Sequence, residues 1–209
     1  MGGTMTDAAP AAPGYDRVPS PVTLELEAPL EVARWRPLVN WLLAIPQLIV
    51  VYALNIVLDV LALISFFTVL FTKKIPPGIF RTMSMVHRYQ WRVLSFAMFM
   101  RNPYPPFEFT TSASDPGGDQ AVFAIEEPVE LNRWLPLVKW LLAIPHYIVL
   151  VFLFIGVLFV KIVAFFAVII TGRYPEGLRE YVIGVFRWAT RVNTYVMFMT
   201  DAYPPFSLK

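Results

Sequence analysis

Charged side chains inside the two longest apolar stretches are the first candidates for chemistry. Asp59 lies near the middle of the stretch 37–72, and Lys161 lies near the middle of the stretch 136–171. A charge inside a bilayer is costly unless it is paired, so such a residue is a functional candidate. When the two stretches are superposed, Asp59 and Lys161 fall within one helical turn of the same depth. The sequence predicts an intramembrane ion pair between them; alternatively, Lys161 extends to the membrane surface.

Two pairs of arginines are the second candidate. Arg88 and Arg92 stand four residues apart, as do Arg187 and Arg191, so each pair lies on one face of a helix. These guanidinium groups could bind lipid phosphates or another anion. They could instead be structural and pair with helix C-termini, with backbone carbonyl groups or with Asp59. In the last of these alternatives, Asp59 pairs with Arg88 or Arg187.

The sequence predicts no catalytic residue, cofactor or metal site. The chain has no cysteine, which excludes disulfides and thiolate chemistry. Its two histidines, His87 and His146, do not stand at a metal-ligand spacing, and no nucleotide-binding loop or nucleophile motif occurs. The net charge of +2 gives no indication of nucleic-acid binding. We therefore expect a non-enzymatic protein.

The composition indicates a membrane protein. The chain is 57% hydrophobic and 15% charged, whereas soluble domains are about 45–50% apolar and about 25% charged. Aromatic residues make up 15% of the chain, and tryptophan favours the level of the lipid headgroups. The predicted interfacial anchors are Trp35, Trp41, Trp134 and Trp140.

The chain repeats itself at a constant spacing. WLLAIP begins at Trp41 and again at Trp140, 99 residues later, and YPPF begins at Tyr104 and Tyr203 with the same offset. Polar and proline positions coincide as well as apolar ones, which indicates a duplicated unit. The first residues are rich in Ala, Pro and Gly and lack the features of a signal peptide. The predicted organisation is a disordered tail at 1–21, a repeat at 22–110, a linker at 111–120 and a second repeat at 121–209.

Each repeat contains two apolar helices. The first stretch has about 35 residues, more than the ~20 that cross a bilayer, and Pro46 or Pro145 divides it. We expect a short interfacial helix, a kink at the proline and a crossing helix. The second helix is predicted at about 78–100 and 177–200. It either crosses the membrane or lies on its surface, and the pattern favours crossing. The fold class is therefore an all-α integral membrane protein with two tandem hairpins and about four membrane helices.

Short strands are predicted at both ends of each repeat. Alternating apolar residues in TLELEAP and VFAIEEP favour a half-buried strand. The runs after YPPF, residues 107–110 and 206–209, also resemble strands, and the four are expected to form one small extramembrane sheet. If the two strands of a repeat pair, both ends of that repeat lie on one side of the membrane. The two hairpins would then point the same way.

The chain resembles a family of bacterial, mainly actinobacterial, membrane proteins called domain of unknown function 4389. The resemblance rests on RWLPLVKWLLAIPH, TGRYPEGL, the helix with paired arginines and DAYPPFSL, and it extends as a tandem duplicate over about residues 22–209. It implies a multi-span protein of the bacterial inner membrane. It brings no established activity.

Three functions remain open from the sequence. The leading expectation is a non-enzymatic accessory or scaffold subunit of a larger membrane complex, for example in lipid or cell-envelope transport. Its partners would be membrane lipids and other integral-membrane subunits. The alternatives are a small-solute or lipid transporter or channel that acts as an oligomer, and a lipid-modifying membrane enzyme.

Overall fold

The computed structural model describes residues 20–209 and contains four helices and two strands in that range. The elements are β1 (Val22–Leu26), α1 (Arg36–Thr72), α2 (Pro77–Ala97), β2 (Ala121–Ile125), α3 (Leu135–Thr171) and α4 (Glu176–Val196). The predicted tail falls almost wholly outside the described residues. The bounds of α2 and α4 agree with the predicted second helices to within a few residues.

Each pair of helices forms a tight hairpin. The long helices end at residues in the left-handed conformation, Lys73 with φ 61° and Gly172 with φ 72°. Glycine adopts this conformation without a steric penalty, whereas lysine does so only when the surrounding structure compensates. Pro76 and Pro175 then precede the second helices. Proline fixes the backbone angle at the start of a helix and so favours the reversal of the chain.

Proline does not divide the long helices. Pro46 lies inside α1 and Pro145 lies inside α3, and each helix continues for 37 residues. The prediction of a separate interfacial helix before each proline was therefore wrong. Residues on both sides of the proline are held by packing, since Ala44 and Gln47 of α1 are fully buried. These contacts compensate for the one backbone hydrogen bond that proline removes.

The sheet joins the two repeats. β1 pairs with β2 in antiparallel register, with Leu24 opposite Phe123. The runs 107–110 and 206–209 are not strands, so the predicted four-stranded sheet was wrong. In the second of these runs, the backbone bonds to side chains instead of to another strand. The Leu208 carbonyl accepts a hydrogen bond from Arg187, and the Ser207 carbonyl accepts one from Arg191.

The two hairpins run in opposite directions. The Val32 amide donates to the Gly172 carbonyl at 2.9 Å, and the Leu131 amide donates to the Lys73 carbonyl at 2.8 Å. The segment before each long helix is thus bonded to the end of the other, so α1 and α3 are antiparallel. The prediction of equal orientation failed because it assumed that strands pair within a repeat.

Each strand lies on the second helix of the other repeat. Arg88 Nε of α2 donates to the Phe123 carbonyl at 3.4 Å, and Arg187 Nε of α4 donates to the Leu24 carbonyl at 3.0 Å. Residues in the two bonds correspond under the 99-residue offset. The repeats are therefore interlocked about a pseudo-twofold axis that passes through the sheet. The sheet lies over the middle of α2 and α4.

The second helices form the central layer. α2 packs against both α1 and β2, and α4 packs against both α3 and β1. The hydrophobic core lies among these elements, and its fully buried members include Phe80, Met83, Val86, Phe96, Phe123, Val182 and Val185. Each long helix contributes only one stripe of buried residues.

Gly184 provides a test of how the carboxy-terminal tail packs. A Cβ at this position of α4 would lie 2.7 Å from the Leu208 carbonyl oxygen and 2.9 Å from the Leu208 Cβ. We expect Gly184→Ala to lower the free energy of unfolding by about 1–3 kcal/mol, because the tail must move. The control is Gly177→Ala in the same helix, where nothing lies within 4 Å. Thermal unfolding in one detergent compares them, and equal stabilities would contradict the described contact.

Candidate functional site

A buried cluster of charged side chains joins α2 to the segment between the repeats. We call it the arginine cluster; it consists of Arg88, Arg92 and Arg101 with Glu108, Asp115 and Asp119. α2 positions two of the arginines one helical turn apart, and the third follows the end of the helix. The three carboxylates come from the tail of the first repeat and from the linker.

Ion pairs within the arginine cluster are shielded from solvent. Arg92 Nη1 lies 2.5 Å from Glu108 Oε2, and its Nη2 lies 3.6 Å from Asp115 Oδ1. Arg101 binds Asp119 through both terminal nitrogens, with an Nη2–Oδ2 distance of 2.8 Å. The side chains of Arg92 and Arg101 are each 1% exposed. Two-point binding of this kind fixes geometry as well as charge.

Arg88 organises the linker. Its terminal nitrogens donate to the carbonyl groups of Thr110, Ser112 and Ser114 at 3.1, 2.8 and 2.8 Å. Its Nε also lies 3.5 Å from Asp115. The linker is therefore folded around a guanidinium group rather than extended between two domains.

Hydrogen bonds within the arginine cluster favour the charged forms of Glu108 and Asp119. The hydrogen bond from Arg92 lowers the pKa of Glu108. Burial alone would raise the pKa of Asp119, but the hydrogen bonds from Arg101 and the Ala121 amide outweigh it and hold that pKa below its usual value. Burial lowers the pKa of Arg88. Three positive and three negative charges thus offset one another, so the cluster fits a structural role better than the capture of an anion.

The corresponding arginines of the second repeat, Arg187 and Arg191, have different hydrogen-bond partners. Arg187 donates to the carbonyl groups of Leu24 and Leu208. Arg191 is 6% exposed; its Nη1 contacts the Ser207 carbonyl at 3.5 Å, and its Nε has no partner among the described residues. Burial, and then the charge of Arg187, lower the pKa of Arg191 to about 10. Arg101 and Glu108 of the first repeat correspond to Thr200 and Ser207 of the second. Because these two residues carry no charge, the second repeat cannot form the same ionic network.

The predicted pair of Asp59 and Lys161 is not formed. Asp59 is exposed on α1, Lys161 is half-buried on α3, and no ion pair joins them in the part of the chain that the structure describes. The physical reason is the antiparallel arrangement of the long helices. The start of each long helix lies beside the end of the other, so Asp59 and Lys161 are about 20 Å apart along the helix axes.

Polar residues of the long helices face the protein interior. The fully or almost fully buried ones are Asn40, Gln47, Ser65, Lys139 and His146. They occupy the single buried stripe of each helix, and Asn40 and Gln47 stand seven residues apart, as do Lys139 and His146. Under the 99-residue offset Asn40 corresponds to Lys139 and Gln47 to His146, so these two positions are polar and buried in both repeats.

These inward-facing groups bind the end of the second helix or the segment that follows it. Asn40 Nδ2 donates to the Phe96 carbonyl at 3.0 Å, and Gln47 Nε2 donates to the Pro105 carbonyl at 2.8 Å. Lys139 Nζ lies 2.8 Å from Asp201 Oδ1. These residues were not among the functional candidates predicted from the sequence. Their signal was visible, because they follow the heptad-like spacing that begins at Pro37 and Pro136.

The two histidines have structural surroundings. The His87 ring is buried, which lowers its pKa to about 4, so it is neutral at physiological pH. The His146 ring stacks on Phe206 with centroids 4.0 Å apart, and its Nδ1 accepts from Trp188 Nε1 at 3.1 Å. Within residues 20–209, no group of three or more potential metal ligands lies together.

Large apolar side chains cover the outward faces of both long helices. Ile49 is 65% exposed and Phe71 is 73% exposed on α1, while Phe152 and Ile170 are each 69% exposed on α3. The four predicted tryptophan anchors are exposed as well. Water-soluble proteins place apolar groups inside and polar groups outside. Here the long helices have the opposite arrangement.

Two of the four helices in the described range, α1 and α3, are long and apolar enough to cross a membrane. The expectation of four such helices is not met, because α2 and α4 are amphipathic. The family described as Domain of unknown function (DUF4389) matches residues 34–108 and 134–207, which together make up most of the chain. The chain belongs to the DUF4389 family.

Each DUF4389 match covers one hairpin and the tail behind it, and the strands lie outside both matches. The tandem duplication predicted from the sequence is thereby confirmed. No curated protein and no solved structure matches the chain. The DUF4389 unit is thus a helical hairpin whose first helix exposes apolar residues and whose second helix is enclosed by protein.

Proposed function

We propose that this DUF4389 protein is a non-enzymatic, membrane-embedded accessory or scaffold subunit of a larger bacterial membrane complex. The observation that carries the proposal is the inverted polarity of α1 and α3. Their buried stripe carries polar residues that bind the interior of the protein, and most of their large apolar residues point away from it. Acyl chains are the surroundings that such a surface requires.

The size of the apolar surface supports this environment. Soluble monomers rarely expose contiguous apolar patches above a few hundred Å², whereas both 37-residue helices are covered with exposed apolar side chains along their length. Transfer of each Leu, Ile or Phe side chain from water contributes roughly 1.5–3 kcal/mol. Insertion of both helices into lipid is therefore strongly favourable.

The use of the charged groups supports a structural role. The arginine cluster is internally neutralised, and Lys139 is paired with Asp201. The sheet side, in contrast, is polar and carries an open groove of about 470 Å³ lined by residues that include Thr23, Arg81 and Ser112. A protein with one lipid-facing side and one polar side is suited to hold another subunit at the membrane.

Extraction from native membranes tests the proposal. We expect the tagged protein to stay in the membrane fraction after an alkaline carbonate wash, as embedded proteins do. After mild detergent extraction, we expect another membrane subunit to co-purify in a stoichiometric amount. We would examine machinery that transports lipids or envelope precursors first. Release by carbonate would contradict membrane embedding, and a lone particle that conducts solute in liposomes would contradict the accessory role.

A further inference from the structure

We infer that α1 and α3 lie along the plane of the membrane, embedded in one leaflet, with the sheet facing the water on that same side. The inference rests on the proposed membrane embedding and specifies its geometry. The occupant of the outward faces of both helices is the acyl-chain layer of a single leaflet.

The length of the apolar face argues against an upright helix. Outward-facing apolar residues extend on α1 from Leu38 to Phe71 and on α3 from Leu137 to Ile170. At ~1.5 Å per residue, each face is about 50 Å long, whereas the hydrocarbon core is about 30 Å thick. Upright helices would leave about 20 Å of this surface in water. To fit it, the helices must tilt by more than about 50°, beyond the usual range of crossing helices.

The position of the sheet gives a second, independent reason. α2 directs Arg88 and Trp91 to the sheet and directs Met83 and Tyr89 to α1. These two groups of residues lie on roughly opposite sides of the helix at about 100° per residue. The sheet therefore lies on the side of the central layer that is remote from α1, opposite the middle of the helices.

An upright arrangement would bring this sheet and the linker to the middle of the bilayer. Pro116, Gly117 and Gly118 of the linker are exposed and belong to no helix or strand. Irregular backbone exposed to lipid is not tolerated, because each unsatisfied group costs several kcal/mol. With the long helices in the plane, the linker faces water and no such cost arises.

The two charged residues of the long helices fit the in-plane arrangement. Asp59 follows the buried Leu58, so it lies about 100° around the helix from the buried stripe rather than opposite to it. Lys161 lies between the buried Val157 and Ala164, at the edge of the corresponding stripe. In a helix that lies flat, the flank that carries Asp59 is near the headgroups, whereas Lys161 faces the protein. In an upright helix, Asp59 would lie about 8 Å and Lys161 about 12 Å from the middle of the helix, both inside a hydrocarbon core about 30 Å thick.

Single-cysteine labelling tests the inference, and the natural chain offers a background without cysteine. The probes are Lys74→Cys and Arg173→Cys in the two hairpin turns and Ser114→Cys in the linker. A membrane-impermeant maleimide is applied to sealed vesicles of known orientation. We expect all three sites to react from the same side. Reaction of Lys74→Cys and Arg173→Cys from opposite sides, or of Ser114→Cys from the side opposite to both, would overturn the inference.

Depth measurement provides a second readout. Spin labels are attached to Ile45→Cys, Val60→Cys and Phe71→Cys, which replace outward-facing residues of α1, and to Asp59→Cys on its flank. We expect the first three labels at one depth and the fourth nearer the headgroups. A depth that is greatest at Val60→Cys and decreases by about 15 Å toward the helix ends would indicate crossing. In that outcome the protein stays in the membrane, whereas failure of the proposed membrane embedding would release it.

Discussion

Arg92→Met should lower the free energy of unfolding by about 3–5 kcal/mol, the usual cost of removing one partner from a buried ionic network. The methionine side chain would fill much of the same volume. It would remove the positive charge that Glu108, Asp115 and Asp119 share. The loss is costly because the side chains of the last two are only 9% and 4% exposed, so water cannot replace the arginine. The linker that these residues hold should loosen as a result.

The second repeat supplies the matched control. Arg191→Met changes the corresponding residue, which is also buried but, unlike Arg92, has no carboxylate partner among the described residues. Replacing such a group with an apolar one is often neutral or stabilising. We expect a loss below about 1 kcal/mol. Chemical unfolding in the same detergent measures the free energy of unfolding of both variants. Equal losses of this free energy would contradict the asymmetry of the two repeats.

The double variant Ile49→Asp with Ile56→Asp should lower the share of the protein that is found in the membrane fraction. Both side chains lie on the outward face of α1 and are 65% and 53% exposed. An aspartate in the hydrocarbon core costs about 3 kcal/mol, so two cost about 6 kcal/mol if they act independently. This amount corresponds to a shift of about 10⁴-fold in the partition between membrane and water.

Val129→Asp is the control for this variant. Val129 is 87% exposed but precedes α3 and belongs to neither long helix. We expect its membrane fraction to equal that of the unchanged protein. Quantitative blotting of membrane and soluble fractions measures the effect. A double variant whose membrane fraction equals that of Val129→Asp would show that the outward face of α1 does not contact lipid.

Local features of this fold were predictable from the sequence. The strict offset gives the repeat, proline and the residues around Gly172 mark the hairpin turns, and alternation in TLELEAP predicts β1. These signals act over a few residues, where backbone sterics and side-chain periodicity dominate. The long helices are equally clear because their apolar residues are so numerous.

Non-local features were not predictable in the same way. Whether β1 pairs with β2 or with a tail depends on which backbone groups remain free, and that depends on arginines elsewhere in the chain. The orientation of the hairpins follows from this pairing, and the separation of Asp59 from Lys161 follows from the orientation. The partner of Arg101, Asp119, comes from a segment that was predicted only as a linker. The buried stripe, with Asn40 and Lys139, was present in the spacing but was hidden by the surrounding apolar residues.

The exchange of strands has a consequence for the history of the chain. A polypeptide with one repeat would have no strand of its own to cover its second helix. Two such polypeptides would cover each other, as an intertwined homodimer in which both copies are equivalent. Fusion of two gene copies would place both repeats in one chain, so their association would no longer depend on protein concentration. Each repeat could then change its sequence separately. Arg101 on one side and Thr200 on the other record that divergence.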